Sequence, residues 1–88
     1  MYRVEWLQTA LDELAGYWVS ADPSERQAIT NASHELEQQL RTNAPAQGES
    51  RPKGRRIAFV PPLALTFRIE PDGKTVTVLH ARAYWRRS

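Results

Sequence analysis

Residues 57–78 read IAFVPPLALTFRIEPDGKTVTV, and the alternation inside this stretch decides the fold class. Ile57 and Phe59, then Leu63, Leu65, Phe67 and Ile69, then Val76 and Val78 alternate with other residues, the period of strands that cover one face. Pro71-Asp72-Gly73-Lys74 is turn chemistry between the last two strands. Pro61-Pro62 separates the first two, because neither proline donates to a ladder. The three strands are expected to share one apolar face. Ala58, Ala64, Thr66, Arg68, Thr77 and Ala81 then fall on the opposite face, small and polar enough to form a concave binding surface.

Outward toward the N-terminus, Tyr2, Val4 and Trp6 alternate with Arg3 and Glu5, which predicts a short strand. Thr9 offers an N-cap with Asp12 three residues on, a variant capping box. Behind it Leu7, Leu11, Leu14 and Trp18, widened by Ala10 and Tyr17, predict an amphipathic helix over residues 8–20, weakened but not ended by Gly16. Asp22-Pro23-Ser24-Glu25 is a second start signal, with Asp22 as cap and Pro23 at the first helical position. Ala28, Ile29, Ala32, Leu36 and Leu40 form the buried stripe of that helix, which Pro45 and the polar stretch to Gly48 terminate. So short a turn makes the helices antiparallel. The expectation is one α+β domain over 1–88, β-α-α-β-β-β, with a helical hairpin packed on a mostly antiparallel four-stranded sheet.

Charge is divided unevenly along this fold. Residues 1–49 carry three Arg against eight acids, a net −5, and residues 50–88 carry nine Lys/Arg against two acids, a net +7. Seven of the nine cations lie in Arg51-Pro52-Lys53-Gly54-Arg55-Arg56 and Arg82-Ala83-Tyr84-Trp85-Arg86-Arg87. Cations with rings among them suit a polyphosphate that also offers bases to stack on, and the asymmetry points to nucleic acid or an acidic protein partner. The acidic hairpin face, with Asp12, Glu13, Glu25, Glu35 and Glu37, repels nucleic acid and leaves binding to the sheet and the C-terminal end. No cysteine and only two histidines disfavour a zinc site. The longest apolar run, Ile57 to Leu65, is nine residues broken by two prolines, whereas a membrane span needs about 20. A cytoplasmic protein with no targeting segment and no membrane partner is expected.

The order strand, helical hairpin, basic loop, three strands joins several local features. These are Tyr2-x-Val4-x-Trp6, Ala10-x-x-Glu13-Leu14, Leu40, Pro45 followed by Gly48-Glu49-Ser50-Arg51, and Val76-x-Val78-Leu79. Together they resemble the RelE/ParE family of toxins from bacterial type II toxin–antitoxin pairs, over essentially the whole chain. The resemblance implies a cognate antitoxin and one of two activities on a shared scaffold. RelE-like members are ribosome-dependent endoribonucleases that cut messenger RNA, and ParE-like members inhibit DNA gyrase without being enzymes. A ribosome-dependent, metal-independent endoribonuclease with no cofactor is the first expectation. A gyrase inhibitor is second, and a degenerate member that only binds its antitoxin or RNA is third.

In the RelE-like branch the resemblance implies a catalytic set of Glu49, Arg51, Lys53, Arg55, Arg82 and Tyr84, with Arg56, Arg68, His80, Trp85, Arg86 and Arg87 binding nucleic acid. Where that branch has an Arg on the third strand this chain has Ala64, which favours the gyrase reading unless Arg68, four residues on, compensates. RNA scission without a metal needs the 2′-hydroxyl deprotonated, the added charge of the pentavalent phosphate stabilised and the leaving 5′-oxygen protonated. The cations suit the second task. Glu49, or a Lys or Arg of depressed pKa, is a candidate base, and His80 or Tyr84 a candidate acid.

Each residue also has a plainer reading. The loop 51–56 reads alternatively as a solvated linker, and Glu49 as the partner of a neighbouring Arg. His80 is in register with Val76 and Val78 and reads first as a partly buried, hydrogen-bonded strand-end histidine. His34 reads as surface, Trp6 and Trp18 as core, and Trp85 as exposed and available for stacking. An antitoxin segment would lie on the cationic surface or on the exposed flank of the hairpin.

Overall fold

A computed structural model describes residues 1–85. The elements are β1 (Arg3–Trp6), α1 (Gln8–Ser20), α2 (Pro23–Asn43), β2 (Glu49–Arg51), β3 (Arg55–Val60), β4 (Leu63–Ile69) and β5 (Thr75–Ala83), with single 3₁₀ turns at Ala44–Ala46 and Pro52–Gly54. The sheet order is β1-β5-β4-β3-β2, with β1 parallel to β5 and every other pair antiparallel. The α+β architecture is as expected, with five strands in place of four. The additional strand, β2, comes from the basic loop, whose residues Glu49–Arg51 pair with Arg55–Ile57.

Local chemistry explains the helix ends. Asp22 accepts from the Glu25 N–H at 2.8 Å while Glu25 accepts from the Asp22 N–H at 2.9 Å, a reciprocal capping box with Pro23 at the first helical position. The Thr9 cap does not form: α1 begins after Leu7, which makes no side-chain cap bond, and Asp12 instead accepts from Gln8 at 2.8 Å. Arg26 closes the other end of α1, donating to the Trp18 and Val19 carbonyls at 2.9 and 3.0 Å. It thereby satisfies acceptors that a helix C-terminus leaves free.

The core lies between the hairpin and one sheet face. Ile29, Ala32, Leu36 and Leu40 of α2 meet Leu63, Leu65, Phe67, Val76 and Val78, all buried. Trp6 belongs with them, partly buried, its Nε1 donating to Glu37 at 3.2 Å and tying β1 to α2.

Three expected placements are corrected. On α1, the inward stripe is Ala10, Leu14 and Tyr17, while Leu7, Leu11 and Trp18 are 43%, 42% and 41% exposed. Both stripes have helical spacing and share Leu14. Fully buried Ala10 marks where the helix backbone comes close to the sheet, which larger side chains would prevent. Trp18 instead stacks under the Arg26 guanidinium, 4.5 Å from the ring centroid.

On β3, Ala58 faces the helices and Phe59 the open side, because Ala58 pairs with Leu65 and Phe59 with Ala64. Paired residues share a face, so the apolar phase read for Ile57 and Phe59 is reversed. On β5, the register passes from Phe67↔Val78 to Thr66↔His80, leaving Leu79 as a bulge. One extra residue inverts the alternation. Ala81 therefore enters the core, and His80, expected beside Val76 and Val78, turns to the open face with Arg82.

Candidate functional site: a cationic cleft on the open sheet face

The β2–β3 hairpin sets up the site. Lys53 and Gly54 both take positive φ, 66° and 71°, so the chain reverses within Pro52–Gly54 and places Arg51 directly opposite Arg55. Like charges opposed across strands destabilise the pair, and an anion between them removes that repulsion. Arg56, expected to bind nucleic acid, holds the preceding loop. It donates to the Gln47 carbonyl at 2.9 Å, to Ser50 Oγ at 2.8 Å and to the Gly48 carbonyl at 3.2 Å. Gly48 has φ +65°, and a Cβ there would stand 2.1 Å from the Ile57 carbonyl oxygen. Only glycine fits that approach.

From the other side of the cleft come His80 and Arg82, brought to the open face by the Leu79 bulge. They join Arg51, Lys53 and Arg55 around a cleft of ≈ 470 Å³ whose floor includes Ile57 and Thr66. Thr66 is the register partner of both Ile57 and His80, so one cross-strand row spans the cleft.

Glu13 of α1 completes the wall. Because β1 pairs with β5 only as far as Val78, the N–H groups of β5 beyond it lack a strand partner on that side. Glu13 Oε1 accepts from the Ala81 N–H at 3.0 Å and lies 3.3 Å from His80 Nδ1. A residue read from sequence as part of a nucleic-acid-repelling helix face is thus the carboxylate of the cationic cleft. Its only sequence signal was its place in Ala10-x-x-Glu13-Leu14.

The remaining site candidates are dispersed. Glu49 bonds Arg51 at 3.1 Å and faces a second cleft beside Gln39 and Phe59. Tyr84 packs edge-on against Phe59, centroids 6.3 Å apart, on the extension of β5 past Arg82, and Trp85 next to it is 38% exposed. Arg68 does not line the cleft and pairs with Glu70 at 3.1 Å. Glu70 also accepts from Thr77 Oγ1, and these bonds, that of Thr77 first, hold its carboxyl below the ordinary value. The cation beside Ala64 is Arg82, its register partner, and Arg68 does not take that place. Arg86 and Arg87 lie outside the described residues. Among the described residues no cluster of three or more His, Asp or Glu is arranged to hold a metal, and no helix is long and apolar enough to cross a membrane.

No family model and no curated protein matches this chain. Solved structures do. A chromosomal ParDE toxin–antitoxin system from P. aeruginosa superposes with a TM-score of 0.75 at 20% identity, covering 97% of this chain and 98% of that one. The RelBE2 toxin–antitoxin complex from Mycobacterium tuberculosis gives 0.65 at 20% identity, covering 93% and 96%. The isolated E. coli RelE toxin gives 0.61 at 14% identity, covering 100% and 89%. The chain therefore has the fold of the RelE/ParE toxins, as its sequence led us to expect.

Proposed function

We propose that this chain is the toxin of a type II toxin–antitoxin pair and that it is a metal-independent endoribonuclease acting on messenger RNA at the ribosome. The observation that carries the reading is the convergence of Arg51, Lys53 and Arg55 from the β2–β3 hairpin with Arg82 and His80 from β5 around one open cleft. Four cations there suit a phosphodiester and the charge it gains in a pentavalent transition state. His80, half exposed among them, brings a ring nitrogen that can accept or donate a proton to the same cleft. Tyr84 and Trp85, beyond Arg82, offer rings to a flanking base.

The antitoxin reading draws support from α1. Leu7, Leu11, Trp18 and Val19 form an exposed apolar strip, the kind of surface that an apolar partner segment covers.

A ParE-like gyrase inhibitor is the second reading, and Ala64 favours it, since the open face carries a methyl group where the nuclease branch has a cation. The deciding experiment is induction in bacteria without antitoxin, with mapping of messenger RNA ends alongside DNA supercoiling and translation. New cuts inside translated frames support the nuclease. Arrest with intact messages and altered supercoiling supports gyrase inhibition, and absence of arrest supports a binding-only protein.

A further inference from the structure

Three independent features converge on one imidazole. The Leu79 bulge turns His80 to the open face, the short β1 leaves the β5 edge unpaired beyond Val78, and Glu13 fills that gap with Oε1 placed against both the Ala81 N–H and His80 Nδ1. An ionised carboxylate only accepts hydrogen bonds, so the contact with Nδ1 is a bond only when Nδ1 carries the proton. The Ala81 bond matters as much, because it anchors the carboxylate to backbone and denies it the freedom of an ordinary surface glutamate. Nε2, on the far side of the ring, is the nitrogen left for a ligand in the cleft.

We infer that Glu13 is a positioning residue that holds the proton of neutral His80 on Nδ1, so that Nε2 meets the substrate as a bare lone pair and takes the 2′-hydroxyl proton; this rests on the nuclease reading above. As Nε2 takes that proton, the O2′–P bond forms and the P–O5′ bond breaks. The leaving 5′-oxygen draws a proton from water, and the hydroxide so formed recovers the imidazolium proton. Between these events the imidazolium stands against the Glu13 carboxylate, which stabilises it where the surrounding arginines oppose it. In water, without such a partner, an imidazole favours the Nε2–H form, which presents a donor instead of a base at that nitrogen. Glu13 selects the opposite tautomer.

The first test is spectroscopic and needs no substrate. Long-range ¹H–¹⁵N correlation of the neutral histidines is expected to show His80 protonated at Nδ1, with exposed His34 as the Nε2–H control in the same sample. Glu13→Ala is expected to move His80 to the Nε2–H form. Glu13→Gln, whose amide oxygen still accepts from both N–H groups, is expected to keep Nδ1–H and also guards against a variant that fails to fold. His80 protonated at Nε2 in the unaltered protein, or a tautomer indifferent to Glu13→Ala, overturns the inference.

The second test is kinetic, on translating ribosomes. Glu13→Ala is expected to lower kcat by roughly 10²-fold, at the low end of general acid–base contributions, with KM little changed and with activity recovered in part in Glu13→Gln, which keeps the tautomer but not the charge. Combining Glu13→Ala with His80→Ala is expected to cost no more than His80→Ala alone, because the two act as one unit. Additive losses overturn the positioning role. Absence of cleavage by the unaltered protein overturns the nuclease reading instead, and the tautomer is read in a separate sample.

Discussion

Ala64 and Arg82 are register partners across β4 and β5, so the guanidinium of Arg82 arises beside the one open-face position where a nuclease of this fold would be expected to carry its own cation. The two strands thus offer one place for a positive charge and two residues from which to supply it. Side chains of directly opposed residues meet at roughly 5 Å between Cβ atoms. On the proposed nuclease reading, Arg82→Ala is expected to lower cleavage by roughly 10²–10³, by analogy with removing one preorganised donor to a transition-state oxyanion, while leaving the melting temperature unchanged because Arg82 is exposed. Adding Ala64→Arg to that variant is expected to restore part of the rate, measured as turnover on translating ribosomes. A double variant as inactive as Arg82→Ala would show that the cation must come from β5.

The exposed strip on α1 yields a binding prediction. Leu11 is 42% exposed in the free chain, so covering the rest of a side chain whose full burial is worth about 1.5–3 kcal/mol contributes about 0.6–1.3 kcal/mol, and a glutamate there adds the cost of burying a charge. On the proposed toxin reading, Leu11→Glu is therefore expected to weaken an antitoxin complex by roughly ten- to a hundredfold without unfolding the protein. Calorimetric titration of the pair checks this, and an unchanged affinity would move the antitoxin off α1.

Two glycines at nearly equal φ separate backbone preference from close approach. Gly73, φ +69°, has nothing within 4 Å of a built Cβ, so Gly73→Ala is expected to cost about 1–2 kcal/mol, the penalty of an L side chain in the left-handed region. At Gly48, φ +65°, a Cβ would overlap the Ile57 carbonyl, and backbone cannot yield as a side-chain tip does. Gly48→Ala is expected to lower the urea midpoint distinctly further than Gly73→Ala. Equal losses would mean that the loop relaxes around the added methyl.

Acid stability follows from the β4–β5 turn. Asp72 accepts from the Lys74 and Thr75 N–H groups at 2.8 and 2.9 Å and from Thr75 Oγ1 at 2.8 Å, bonds that hold its carboxyl below the ordinary value, the Lys74 bond foremost. Glu70 is lowered likewise by Thr77 and Arg68. A carboxyl whose folded pKa lies below its unfolded one contributes stability that is complete above the unfolded value and is lost as pH falls through the folded one. Stability is accordingly expected to decline once the pH drops below the ordinary values of 4.5 for Glu70 and 3.8 for Asp72. Glu70→Gln with Asp72→Asn is expected to flatten that decline, seen in urea midpoints followed from neutral into acid pH. Parallel declines would assign the acid loss to other groups.

Much of the architecture was legible because it rests on local chemistry. The capping box at Asp22 and Glu25, the α2 stripe from Ile29 to Leu40, the turn at Pro71–Lys74 and the alternation of β4 each need only neighbours in sequence. The misplacements on α1 and β3 share one cause. Period alone does not say which of two apolar faces is covered, and on α1 the stripes through Ala10 and through Leu11 are both helical. On β3, Ala58 wins the core face over Phe59 because its partner across the strand is Leu65.

The candidate site divides in the same way. Composition and order along the chain determined that cations would gather in the second half, that Arg51, Lys53 and Arg55 would share a loop and that Arg82 would stand near the chain's end. Tertiary structure alone decided that His80 and Arg82 face that loop, because a single bulged residue at Leu79 inverts the alternation after Val78. It also decided that Glu13, 67 residues from His80 in sequence, joins them. A hydrogen-bond acceptor was required where β1 stops short of the end of β5, and no pattern within either segment reveals where a neighbouring strand runs out.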